Sequence, residues 1–193
     1  MANSTVAYGF KPVNHMGQDY VGRLTKYYHA SGDATALYAG DPVVLAGSAS
    51  TDGYASVIRA TVGTAVTTDY ITGVVVGFEP YEVIPTYKYG PASVAYYLLV
   101  SDDPDQIYMI KSDGATDVAD VGGTCQIASG TGNAYTGLSG FKLDHSEIAT
   151  TATDQVVIVG FPPGLVENNL AETGVDVLVR INMHTSRLGS AGV

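Results

Sequence analysis

Residues 175–184 alternate without a slip. Val175, Val177, Val179, Ile181 and Met183 fall on one side, and Asp176, Leu178, Arg180, Asn182 and His184 on the other. A period of two over ten residues belongs to a half-buried β-strand and to no helix, and a shift of one residue would turn every valine to solvent. The remainder is compatible with that strand. Valine, threonine and tyrosine are abundant and suit a pleated surface. Nine or ten strand-like runs are separated by Gly, Pro, Asn and Asp at the spacings of sandwiches and barrels. The expected fold is all-β, an antiparallel β-sandwich or barrel (jelly-roll-like arrangements included), with at most one short helix, over Leu165 to Thr173 and closed by Gly174.

Three stretches carry the organisation. Residues 1–22 contain Gly9, Pro12, Gly17 and Gly22 with no sustained period, and read as an extended N-terminal arm whose Tyr8, Phe10, Lys11, Pro12 and Val13 anchor on a neighbouring molecule. Residues 23–193 read as a single β-rich domain. Within it, Ile71 to Phe78 is a continuous apolar run, expected of a strand buried on both faces or bent by a bulge. Pro80, Pro85 and Pro91 make residues 80–91 an extended excursion, because each proline removes a backbone donor and fixes φ; it carries Tyr81, Tyr87 and Tyr89. Residues 93–100 and 106–111, around the turn Asp102-Asp103-Pro104-Asp105, form a hairpin candidate with Ile107 and Met109 on one face and Tyr108 and Ile110 on the other.

Charge narrows the function. Nine Lys and Arg against 19 Asp and Glu give a net charge of −10 in 193 residues, and only 15% of residues are charged, against about 25% in an average domain. The basic residues are scattered, which argues against a nucleic-acid partner. No apolar stretch reaches the roughly 18 residues of a membrane helix, and the opening residues lack the pattern of a secretion signal. A Tyr-rich surface poor in charge reads as one that becomes covered.

Catalytic and metal signatures are missing from the sequence. Gly137-Leu138-Ser139-Gly140 lacks the spacing of a nucleophile elbow, and Asp144 and His145 are neighbours that a strand would point to opposite faces. The four histidines show no ligand spacing, with His184 expected to be solvated. Asp102, Asp103 and Asp105 lack a calcium-loop pattern, Gly130-Thr131-Gly132 is half a phosphate loop with no following helix, and Cys125 reads as a small core side chain. No catalytic residue, cofactor, metal or small-molecule substrate is expected. Glycoside hydrolysis by a β-sandwich would need Glu79, Glu82 and Asp105 to meet across a cleft, and a carbohydrate-binding module would use the tyrosines.

Tyr8-Gly9-Phe10-Lys11-Pro12-Val13 and the tract Tyr38-Ala39-Gly40-Asp41-Pro42-Val43 resemble the cement or decoration proteins encoded in the head regions of tailed bacteriophages. Ile71-Thr72-Gly73-Val74-Val75-Val76-Gly77-Phe78, the Asp102-Asp103-Pro104 turn before Gln106-Ile107-Tyr108, and Val177-Leu178-Val179-Arg180-Ile181-Asn182-Met183-His184 are similar to the same group. The resemblance implies a non-enzymatic virion protein, made in the host cytoplasm. It would sit on the outer capsid surface as a homo-oligomer, a trimer or similar cluster, clamping neighbouring major capsid subunits, with residues 2–13 reaching to capsid or adjacent copies. A fibre or tail subunit shares the composition. The excursion at 80–91 has no counterpart motif, so contacts by Tyr81, Tyr87 and Tyr89 rest on the residues alone.

Overall fold

The computed structural model describes residues 2–15, 18–62, 70–80, 87–163, 168–187, 189 and 192. The chain is all-β: among the described residues the only helical turns are two three-residue 3-10 turns, Val118–Asp120 and His145–Glu147. Its strands are β1 (Lys11–His15), β2 (Gln18–Asp19), β3 (Thr25–His29), β4 (Pro42–Ala49), β5 (Ala55–Arg59), β6 (Ile71–Phe78), β7 (Tyr96–Ser101), β8 (Gln106–Lys111), β9 (Thr124–Cys125), β10 (Ile127–Ala128), β11 (Lys142–Leu143), β12 (Val156–Gly160) and β13 (Asp176–Ile181).

They form two main bodies. Strands β3-β5-β4-β6-β7 close a five-stranded barrel, antiparallel except where β3 meets β5 at Tyr28 and Ser56. The order β2-β1-β8-β13-β12-β9 makes an antiparallel six-stranded sheet, and β10-β11 is a small separate ladder. A barrel this narrow is filled by its own side chains, here Leu37, Val43, Val57, Val75, Tyr96, Leu98 and Val100. A second core lies between the sheet and the outside of the barrel. Tyr108, Ile110, Val156, Ile158, Val177, Val179 and Ile181 from the sheet meet Val44, Ile71 and Val74 from the barrel wall. Strand β6 therefore serves both cores, which is why Ile71 to Val75 is buried residue after residue; the strand also bulges between Val75 and Gly77.

The alternation is realised over 175–181, where Val175, Val177, Val179 and Ile181 are buried in the second core, and ends there: Asn182, Met183 and His184 are all buried. The opposite face is half-buried at Asp176, Leu178 and Arg180. His184, expected in solvent, is buried instead. The chain there leaves β13 and returns to the barrel, where Ile71 N–H donates to Met183 O at 2.9 Å and Thr185 N–H to Ile71 O at 3.1 Å.

Three further expectations are corrected. Residues 93–100 and 106–111 are not a hairpin: β7 pairs with β3 and β6, and β8 with β1 and β13. Closing the barrel occupies both edges of β7, so β8 finds its partners in the sheet. The described residues of the 1–22 stretch do not hang free as an arm. Lys11–His15 is β1, paired along β8, with a bulge between Pro12 and Asn14 that accommodates the proline. Of the expected helix, 165–167 lie outside the described residues, and 168–173 are not helical, with a turn at 170–171. Their polar groups are engaged elsewhere: the Asn168 amide exchanges hydrogen bonds with the Asp176 backbone (2.8 and 2.9 Å), and Leu170 O accepts from Thr116 N–H.

Candidate functional site

The start of the chain crosses the Leu37–Gly40 segment at the seam between the two bodies. Gly9 (φ 71°) and Gly40 (φ 93°) pass so close that a Cβ on Gly9 would lie 2.5 Å from Gly40 O, and one on Gly40 2.5 Å from Tyr8 O. Both need the left-handed conformation that glycine adopts freely. Phe10 N–H donates to Gly40 O at 2.9 Å. Beside the crossing, the Tyr8 hydroxyl donates to Asp176 Oδ1 at 2.6 Å, and Lys111 Nζ donates to the same oxygen at 2.9 Å. Burial, then the Asp176 carboxylate, push the Tyr8 phenol far above its ordinary value, so it stays a donor. Lys111 and Asp176 are also cross-strand partners of β8 and β13.

Phe10 cannot be a hook on a neighbour: it is 2% exposed and its ring meets Tyr108 edge-on at 5.8 Å. Lys11 is exposed, and Tyr8, Pro12 and Val13 are half-buried. What this root builds is a groove. Tyr8, Phe10, Lys11 and Pro12 line one side of a cavity of about 420 Å³ whose other walls are Ala39, Gly40, Val75, Val76, Met109 and Leu138. Its lining is mainly apolar and, Lys11 aside, carries no charged side chain, in a chain of charge −10.

The aromatic excursion ends next to this groove. Tyr81 lies outside the described residues. Tyr87 and Tyr89 extend a stack that begins on Tyr38: Tyr38 and Tyr89 are parallel at 5.1 Å, Tyr87 and Tyr89 tilted at 5.3 Å. Tyr87, at the outer end, is 43% exposed. The base of the stack is held by Asp41, which accepts from Tyr38 N–H at 2.9 Å, and by Arg59, which donates to Gly130 O at 2.7 Å and lies over the Phe141 ring. Burial raises the Asp41 carboxyl above its ordinary range.

The loop after Gly130 joins stack and groove. Ala39 bridges to Leu138, and Ala39 N–H donates to Gly137 O at 3.0 Å. Gly137 (φ 79°) lies against Lys88, where a Cβ would meet Lys88 O at 2.4 Å. Leu138 and Tyr135 are 40% and 85% exposed, and Lys88 Nζ sits 5.4 Å from the Tyr135 ring centre. Tyr38, Met109, Tyr135 and Leu138 were not expected as contact residues. Met109 stands on β8 and the other three outside the strands, and the pairing of residue 39 with residue 138 brings the loop to the groove.

The other sequence candidates have structural partners. Asp144 caps a 3-10 turn by accepting from Ser146 N–H, while His145 N–H donates to Asp113. Asp102 accepts from Thr25 and Tyr27, Asp103 Oδ2 lies 3.2 Å from His15 Nε2, and Asp105 pairs with Arg187. Glu79 pairs with Lys26 at 2.8 Å; Glu82 lies outside the described residues. Gly132 backs onto the Tyr38 ring, and Ser139 is buried, its Oγ accepting from Phe141 N–H. Cys125 is a free, buried thiol whose pKa burial pushes far up, the state of an inert core residue. Among the described residues no cluster of His, Cys, Asp and Glu has the makings of a metal site, and no helix is long and apolar enough to cross a membrane. Comparison with family models, curated proteins and solved structures returned no match for this chain.

Proposed function

We propose that the chain is a structural virion protein of the head-decoration type. It binds the outer surface of a bacteriophage capsid as a homo-oligomer, a trimer or similar cluster, and clamps neighbouring major capsid subunits. The observation that carries the reading is a tyrosine stack with Tyr87 exposed at its end, joined through the Ala39–Leu138 bridge to an apolar groove with no carboxylate in its lining. Aromatic anchors around a charge-depleted centre are the composition of protein–protein contact surfaces. The resemblance of the Tyr8–Val13 and Tyr38–Val43 tracts to cement proteins supplies the identity of the partner.

In this reading Tyr87 and Tyr89 meet the capsid, and the root from Tyr8 to Val13 shapes the face. A clip with several weak feet gains from effective concentration once the first is seated. The acidic remainder of the surface favours solubility and does not adhere to DNA.

The test is co-sedimentation of the purified protein with phage heads stripped of it, followed by imaging of the decorated heads. Saturable binding across the lattice, weakened by Tyr87→Ser with Tyr89→Ser, is the expected result. Localisation to a vertex or tail would favour a fibre or tail subunit, and no binding to heads would overturn the proposal.

A further inference from the structure

We propose that copies of the chain join through a tyrosine knob and the apolar groove: the Tyr135 ring of one copy seats between Tyr8, Pro12, Met109 and Leu138 of the next. The proposal rests on the homo-oligomer part of the reading above and names its contact. Four observations carry it. The first is that Tyr135 is 85% exposed on a loop whose backbone is closed on itself. Asn133 Oδ1 accepts from Tyr135 N–H at 2.9 Å and Thr136 N–H at 3.2 Å; Gly137 N–H donates to Asn133 O at 2.7 Å, and Asn133 N–H to Leu138 O at 2.9 Å. A ring carried on a loop whose backbone is already closed by hydrogen bonds has only its own side-chain torsions left to order on binding, and a tyrosine has few of them.

The second is position. Leu138, three residues on in the same loop, lines the groove, so each copy carries knob and receptor together. A chain that both gives and receives the same contact closes into a symmetric set, by two-fold reciprocity or around a ring.

The third is charge. Two chains of charge −10 repel over most of their surfaces. Neither the groove lining nor residues 131–138 include an Asp or Glu. The one cation of the groove wall, Lys11, complements the negative face of an incoming aromatic ring; Lys88 already lies over the Tyr135 ring within the same chain.

The fourth is size. One inserted tyrosine buries about 150–250 Å², well below the roughly 1,200–2,000 Å² of a stable pair. The contact is therefore weak and reversible for free protein, and is multiplied where copies are held side by side.

The experiment is sedimentation equilibrium of the full chain from about micromolar to about millimolar concentration, together with a benzophenone amino acid at position 135 for photo-crosslinking. The wild type is expected to self-associate. Tyr135→Ala and, from the receptor side, Leu138→Asp should each weaken association by on the order of tenfold or more, the scale of an interface anchor, with unchanged circular dichroism; Tyr135→Phe should retain it. The crosslink should join two chains and map to Met109 or to residues 8–12. A wild type monomeric throughout, association unaffected by Tyr135→Ala, or crosslinks that map elsewhere would overturn the contact. Head binding is scored separately. Loss of head binding with self-association intact counts against the virion reading alone, whereas a monomer that still decorates heads counts against this contact alone.

Discussion

The barrel and the six-stranded sheet are built from the same kinds of residue, but they solve the edge problem differently. The barrel is continuous in sequence, its strands running from Thr25 to Ser101, and closure leaves it no edge. The sheet gathers strands from residues 11–19 and from four segments between 106 and 181, and ends in the two-residue strands β2 and β9. Short edges limit edge-to-edge pairing. Local pairing makes a unit from one stretch of chain, whereas the sheet needs its first strand to return across about a hundred residues. Strand β6 joins the two, one side facing each core, and the candidate face lies along the seam that results.

Breaking the sheet at its non-local strand should have the largest effect. Deleting residues 1–13 removes Phe10 and three of the five residues of β1; a buried Phe alone contributes about 3–5 kcal/mol, a large share of the ~5–15 kcal/mol that holds a domain. Near-UV circular dichroism should show no cooperative fold at 25 °C. A stable truncated protein would restore the view of this stretch as a detachable arm. Next comes the ion pair that fastens the sheet. Lys111→Ala leaves the Asp176 carboxylate without its cation at a nearly buried site and should cost about 3 kcal/mol by urea denaturation. The barrel's exposed pair, Lys26 with Glu79, should cost far less when broken.

The shared wall is tested by a matched pair. Val74 belongs to the sheet-side core and Val75 to the barrel interior. Val74→Ala and Val75→Ala should each cost roughly 2 kcal/mol, and calorimetry should show one transition in both. Two transitions, with each variant moving a different one, would make the cores independent.

The smallest effect is the pH response of the turn that ties the sheet to the barrel. The buried His184 ring accepts from Ser186 N–H through Nδ1 at 3.0 Å. Burial holds its pKa below the ordinary 6.5, so the unfolded chain takes up the proton first. The stability contributed by the neutral ring is complete above pH 6.5 and is lost as pH falls below it, by at most about 1.4 kcal/mol per pH unit. Asp105 is held below its ordinary 3.8 chiefly by its hydrogen bond from Arg187, and its contribution is lost only at lower pH. Asp41, raised by burial, works in the opposite sense, losing stability as pH rises. Subtracting the His184→Gln profile from that of the wild type removes both, and the difference should slope between pH 7 and 5. A flat difference would show that His184 does not titrate in this window.

Much of this fold is legible wherever one face or both faces of a strand are buried. Residues 175–181 reveal their inward side by alternation, and Ile71 to Val75 reveal a two-sided environment by its absence. Pairing was not legible. The residues flanking Asp102–Asp105 look like any hairpin, and only closure of the barrel, a non-local event, removes β7 as a partner for β8. The same holds for Lys11–His15, where a proline and a bulge erase the period, and for His184, which is buried by a strand distant in sequence. At the candidate site, Tyr87 and Tyr89 announce themselves as aromatics among prolines. Tyr135 and Leu138 acquire their meaning from a bridge to Ala39 that no local pattern records.

The most direct test of the central claim, that the seam face is the one covered on a capsid, is hydroxyl-radical footprinting of the protein free and bound to heads. The account predicts protection at Tyr87 and Tyr89 on binding, with Tyr54 and Ile58, the exposed apolar residues of the barrel wall, still reactive. Protection of Tyr54 and Ile58 with Tyr87 left reactive would contradict it.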